Sequence, residues 1–126
     1  MTSCFAARAV LAASVAVSVG TSAFAADPTA GKTYFAQRCT MCHVVTPGAK
    51  GMMAPNLYGV GGTMSGVGDF AFSNALKNAR LKWNAETLDA FLTAPSKMAP
   101  GTRMLTPIPD AATRANVVAY LLSLHR

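Results

Sequence analysis

The 126-residue chain is short of the groups that usually hold a small protein together or give it chemistry. It has three cysteines, two histidines, one tryptophan and five acidic side chains. Cys4 lies before an apolar N-terminal run, so past that run only Cys39 and Cys42 remain, and no disulfide framework can be built from them. His125, at the extreme C-terminus, is the only histidine besides His43, so a tetrahedral zinc site lacks its fourth ligand. The basic residues stand singly, without a Lys/Arg run, which argues against nucleic acid as a partner. There is no internal repeat, no low-complexity tract, and no stretch of alternating apolar and polar residues that reads as a strand.

The N-terminus reads as an export signal rather than structure. Arg8 is the only charge before the small and apolar residues Val10 to Val19, and Ser22-Ala23-Phe24-Ala25 supplies an A-x-A site. Cleavage is expected after Ala25, making 1–25 a signal peptide and 26–126 one domain destined for the periplasm. The apolar run is short and rich in Ala, Ser and Gly, unlike a ~20-residue membrane span. Cys4 leaves with the signal and cannot be a lipid-attachment site. Residues 1–25 carry one of the eleven basic side chains and none of the acidic ones, which leaves the remainder at +5.

The rest organises into helices and two long irregular stretches. Asp27-Pro28 predicts a helix start, with an N-cap acceptor and proline at the first helical position, running to about Cys42. Ser73 predicts a short helix through Arg80, and Asn84 another through about Thr93, stopped by Pro95. Asp110 predicts a last helix with Val117, Tyr120, Leu121 and Leu124 on one face. Between them, Val44 to Phe72 holds seven of the ten glycines, and Pro95 to Pro109 holds four prolines. A stretch of ~28 residues without periodicity is unusual inside a compact domain. It needs something rigid to wrap around. The expected fold is all-α: three to five helices and long loops.

Cys39-Thr40-Met41-Cys42-His43 names that rigid body. C-x-x-C-H is the signature of c-type haem attachment. At a helix end, residues i, i+3 and i+4 share a face, so two thiols reach the two haem vinyl groups and the histidine points at the iron. A thioredoxin-type C-x-x-C expects a βαβ context that is absent here. A disulfide across the motif would explain neither the adjacent histidine nor the loops.

Beyond this motif the chain resembles class I, mitochondrial-type cytochrome c over essentially all of 26–126. The resemblance is carried in order by Gly31 and Phe35, Cys39 to His43, and Ala54-Pro55-Asn56-Leu57; then by Trp83, Pro95 to Met104, Arg114 and Val118-Ala119-Tyr120-Leu121. It implies one covalent haem c on Cys39 and Cys42, with His43 and Met104 as iron ligands. It implies that the Pro55 carbonyl orients His43, that Trp83 reaches a propionate, and that Gly31 lets the first and last helices close on each other. A methionine opposite histidine raises the potential and leaves no open site on the iron, which suits a carrier. Met98, in the same loop, and His125 are the alternatives to Met104. Where the family commonly has two tyrosines, an asparagine and an arginine near the haem, this chain has Phe72, Phe91, Leu76 and Gly62-Thr63.

The resulting expectation is a soluble, monomeric, periplasmic one-electron carrier, not an enzyme and without a small-molecule substrate. It meets membranes only through partner complexes. Arg38, Lys50, Lys97 and Arg103 lie near the ligand-bearing segments and would dock redox proteins bearing acidic patches. Two haem propionates would lower the net charge to about +3. The competing readings are peroxide or nitric oxide chemistry at a labile Met104 site, and a fixed electron-transfer subunit of one dehydrogenase.

Overall fold

The computed structural model describes residues 24–125. Cys4 and nearly all of the expected signal peptide lie outside the described residues. Among the described residues there are five helices and no strand. The nearest thing to sheet is an isolated antiparallel bridge between Met64 and Lys82.

Helix α1, Pro28–Arg38, starts as its sequence dictates, with the Asp27 carboxylate accepting from Thr29 N at 2.8 Å. It ends at Arg38 rather than Cys42. Phe35 O accepts from both Cys39 N and Thr40 N, and the Thr40 hydroxyl donates back to Ala36 O, which together pull the backbone out of the helical ladder. Residues 39–43 then form a separate turn, in which Cys42 N and His43 N both donate to Cys39 O. The attachment motif therefore keeps a helical i to i+4 bond without belonging to the helix.

Helix α2, Asn74–Ala79, is capped by Ser73 and stops one residue before its expected end, because Arg80 adopts a left-handed conformation (φ 50°). Helix α3, Ala85–Thr93, opens on a capping box in which Asn84 and Thr87 satisfy each other's backbone N–H groups. Helix α4, Pro95–Met98, is a single turn inside a stretch expected to be irregular. Pro95 ends α3 and also occupies the first position of α4, where its missing N–H costs nothing. Helix α5, Ala111–Ser123, is capped by Asp110, whose carboxylate accepts from Thr113 N at 2.8 Å.

The core forms where α5 crosses α1 and α3. Phe35 and Tyr120 pack with ring centroids 5.5 Å apart, and Trp83 and Phe91 meet edge to face at 5.2 Å. Leu88, Leu92, Ala99, Ile108, Val117, Val118 and Leu121 complete the buried cluster. At Gly31 the two helices touch backbone to backbone. A Cβ there would collide with the Asn116 carbonyl oxygen and lie 2.9 Å from Tyr120 Cβ. Arg114 ties the third element in, donating to Asp89 of α3 at 2.6 Å and to Ile108 O at 2.9 Å. Apart from the short helices α2 and α4, the rest of the described residues is loop, and the loops carry the chemistry.

Candidate functional site

Two loops and the turn after α1 present the residues that the sequence singles out. His43 is half-buried, and its Nδ1 lies 2.8 Å from Pro55 O. Burial pushes its pKa below the ordinary histidine value, against the smaller opposing effect of the Pro55 hydrogen bond. The imidazole is therefore neutral, Nδ1–H donates to the carbonyl, and the Nε2 lone pair remains as a donor for a metal.

The loop that brings Pro55 to His43 is closed by its own groups. Leu57 N donates to Val44 O at 2.9 Å across its neck. Asn56 Nδ2 donates to Thr46 O and Ala49 O, both at 2.7 Å, while Asn56 Oδ1 accepts from Tyr58 N. Asn56 is thus the organiser of this loop, a role that its place in the sequence does not announce. Gly51 is needed at the loop's turn because a Cβ there would collide with Ala54 O and lie 2.8 Å from Pro55 Cα.

Cys39 is half-buried and Cys42 exposed, and no disulfide joins them. Two thiols in one turn, beside a histidine whose second nitrogen is uncommitted, fit a haem held by thioether bonds and iron ligation. The sulfurs would bond its vinyl carbons and fix it against loss, and haem bound there would supply iron that alternates between Fe(III) and Fe(II), one electron at a time.

Met104, in the loop between α4 and α5, is half-buried against the same core as Cys39, Leu57 and Met98. Its N–H donates to the hydroxyl of buried Thr102, and Thr102 N donates to Ala99 O. Arg103 folds back across the surface, donating to Ala71 O with its guanidinium 6.0 Å from the centre of the Phe70 ring. That contact ties the methionine loop to residues 70–72. Trp83 is held by its backbone, which pairs with Gly62 N at 2.7 Å and Thr63 O at 2.8 Å, while its ring packs on Phe91.

The substituted positions fall in the same region. Phe91 is buried against Trp83; Phe72 is half-buried and edge-on to Phe70. Beside half-buried Leu76, the Ser65 hydroxyl donates to Leu76 O and accepts from Leu81 N, both at 2.9 Å. It satisfies the loop and α2 internally. Ser65 and Arg103 are further residues whose structural roles the sequence leaves unread.

The cytochrome c family model matches residues 28–125, which includes all of the elements above. The chain belongs to the cytochrome c family. It is 43% identical over 99 residues to cytochrome c2 of Rhodoblastus acidophilus, covering 77% of this chain and 92% of that one. It is 37% identical over 97 residues to cytochrome c of Ginkgo biloba, covering 75% of this chain and 86% of the relative. A third relative, cytochrome c-type cyt cy of Rhodobacter capsulatus, is 38% identical over 112 residues, and the match spans 55% of its length. The cytochrome is an all-α electron carrier with haem c attached covalently through Cys39 and Cys42.

Proposed function

We propose that the haem iron is held by His43 Nε2 and Met104, and that the protein is a periplasmic one-electron carrier, not an enzyme. The single observation that carries this reading is the 2.8 Å contact between His43 Nδ1 and Pro55 O. It commits one ring nitrogen to the backbone and leaves the other unprotonated and able to bind iron. Met104 supplies a soft ligand that favours ferrous iron, from a loop anchored at both Thr102 and Arg103. Trp83, next to that loop's core contacts, is the candidate donor to a propionate.

The composition of residues 1–25, an apolar run followed by an A-x-A site, supports export, and no described helix is long and apolar enough to cross a membrane. Partners are redox proteins that approach the attachment turn, acidic patches on them meeting Arg38 and Lys97, both exposed. Osmotic-shock fractionation of the native source tests the cellular part. The haem-stained band should leave with the periplasmic fraction and begin at Ala26. A membrane-bound band retaining residues 1–25 would replace the free carrier with an anchored one.

The phenylalanines should weaken the hold on the methionine. A buried donor to a charged group contributes roughly 1.5–3 kcal/mol, and Phe72 and Phe91 offer none. Phe72→Tyr with Phe91→Tyr should therefore raise the pH at which the long-wavelength sulfur-to-iron(III) band disappears, the wild type exchanging Met104 for a lysine such as Lys97. Phenylalanine also dries the crevice, which opposes entry of a new ligand. A pH titration of the band in both proteins decides: an unchanged or lowered midpoint in the double variant means that dryness outweighs the missing hydrogen bonds.

A further inference from the structure

Helix α2 alone among the described helices has no fully buried residue; Ala75, Leu76 and Ala79 pack half-buried against the core. It ends at Arg80 in the left-handed region, where a side chain strains the backbone. So short a helix does not persist on its own. Its support comes from residues 65 and 66. Ser65 is buried, and its N–H donates to Leu81 O at 2.7 Å. Its hydroxyl donates to Leu76 O and accepts from Leu81 N, so one oxygen joins the middle of α2 to the residue that follows it. Gly66 rests on the adjoining backbone: a Cβ there would lie 2.5 Å from Lys77 Cα and 2.6 Å from Lys77 N.

Helix α2 in turn backs the methionine loop. A Cβ on Gly101 would stand 3.6 Å from Ala75 Cβ, so the backbone at 101 runs close along the helix. Arg103 donates to Ala71 O, two residues ahead of the Ser73 cap. Between these two points lies Thr102, whose hydroxyl accepts from Met104 N. Ser65 and Thr102 are the buried polar residues among those described. One fixes α2 and the other fixes the backbone of Met104, with the Ala75–Gly101 approach between them. Ala75 is the immediate neighbour of Leu76, whose carbonyl Ser65 holds.

We propose that Ser65 is a positioning residue for Met104: its hydroxyl holds α2 against residues 101–103 and so sets how often the methionine leaves the iron. This rests on the reading of Met104 as the sixth ligand. Met104 leaves only when its loop moves, and the loop moves only as far as α2 yields. Without the hydroxyl, Leu76 O and Leu81 N each lose a partner in a half-buried place. The helix then keeps only its Ser73 cap, its half-buried packing and the Gly66 contact, and local opening becomes more frequent. A ligand that competes for the iron binds only the open form, so its apparent affinity reports the open fraction.

Imidazole added to the ferric holoprotein at neutral pH is the probe, with displacement read from loss of the long-wavelength sulfur-to-iron(III) band. Ser65→Ala should bind imidazole roughly fivefold more tightly than wild type, the consequence of one buried hydrogen bond missing from the closed form. Ser65→Thr keeps the hydroxyl and should stay within about twofold of wild type. Ala75→Gly loosens α2 at its contact with Gly101 and should tighten imidazole binding at least about twofold, which keeps the test valid if Ser65→Ala yields no holoprotein. Asp110→Ala removes the cap of α5 and lowers the unfolding stability of the frame, yet should leave imidazole affinity within about twofold of wild type. Amide exchange at Leu81, whose N–H Ser65 accepts, should quicken in Ser65→Ala and not in Asp110→Ala. Wild-type imidazole affinity in Ser65→Ala, or an equal gain in Asp110→Ala, would overturn the positioning role alone. Absence of the sulfur band from the wild type would overturn the Met104 reading and the positioning role with it.

Discussion

Replacing Met104 with alanine should abolish the weak long-wavelength band of sulfur bonded to iron(III) and lower the reduction potential. Axial ligands control haem potentials over ~0.8 V, and losing the thioether should cost on the order of 0.2 V of that span. A thioether is soft and uncharged, so it favours ferrous over ferric iron, and water or hydroxide in its place reverses the preference. The competing methionine is Met98, half-buried against the same core. Its backbone closes the single turn of α4, with its N–H bonded to Ala94 O at 3.2 Å, whereas Met104 lies in open loop held by Thr102. Met98→Ala should therefore keep both the band and the potential. If the two variants behave the other way round, the sixth ligand is Met98.

The largest effect on stability is expected at Gly31. A Cβ there would collide with the Asn116 carbonyl oxygen and lie 2.5 Å from the carbonyl carbon. These are backbone atoms of α5, so no rotamer change relieves the clash. The helices must move apart, and the Phe35–Tyr120 contact moves with them. Gly31→Ala should destabilise the holoprotein by about 3 kcal/mol, at the upper end of overpacking costs, and lower Tm by about 15 °C. Gly48→Ala makes a control. Gly48 has φ 72° with nothing within 4 Å of an added Cβ, so only the left-handed backbone is strained, at about 1 kcal/mol. Guanidinium unfolding of the three proteins measures both. Equal losses at the two positions would mean that α1 and α5 yield to the extra methyl group.

Local chemistry made much of the frame legible. Asp27, Ser73, Asn84 and Asp110 each cap a helix where the sequence places them, because a short side-chain acceptor acts on N–H groups two or three residues away. The end of α1 and the existence of α4 were not legible. In the first, Thr40 competes with the helix ladder; in the second, Pro95 reads as a stop and serves equally as a start. The loops resist sequence reading for a different reason. Their order comes from particular polar groups, Asn56 bridging two carbonyls and Arg103 turning back to Ala71, and no periodicity announces such contacts.

The site divides along the same line. Cys39, Cys42 and His43 are readable because covalent attachment demands that spacing. Met104 is not distinguishable from the chain's other methionines by its own chemistry, and only the resemblance to class I cytochromes c singles it out. Contacts of the surface cations were not legible either: Lys50 makes an exposed ion pair with Asp69, and Arg103 folds over the Phe70–Ala71 segment.

The most direct test of the account is the mass of the peptide containing residues 39–43 after denaturation and digestion of the purified protein. It should carry one haem through two thioether bonds, and acid-acetone should leave the colour with the polypeptide. An unmodified peptide with extractable haem, or a peptide two hydrogens lighter from a Cys39–Cys42 disulfide, would contradict it.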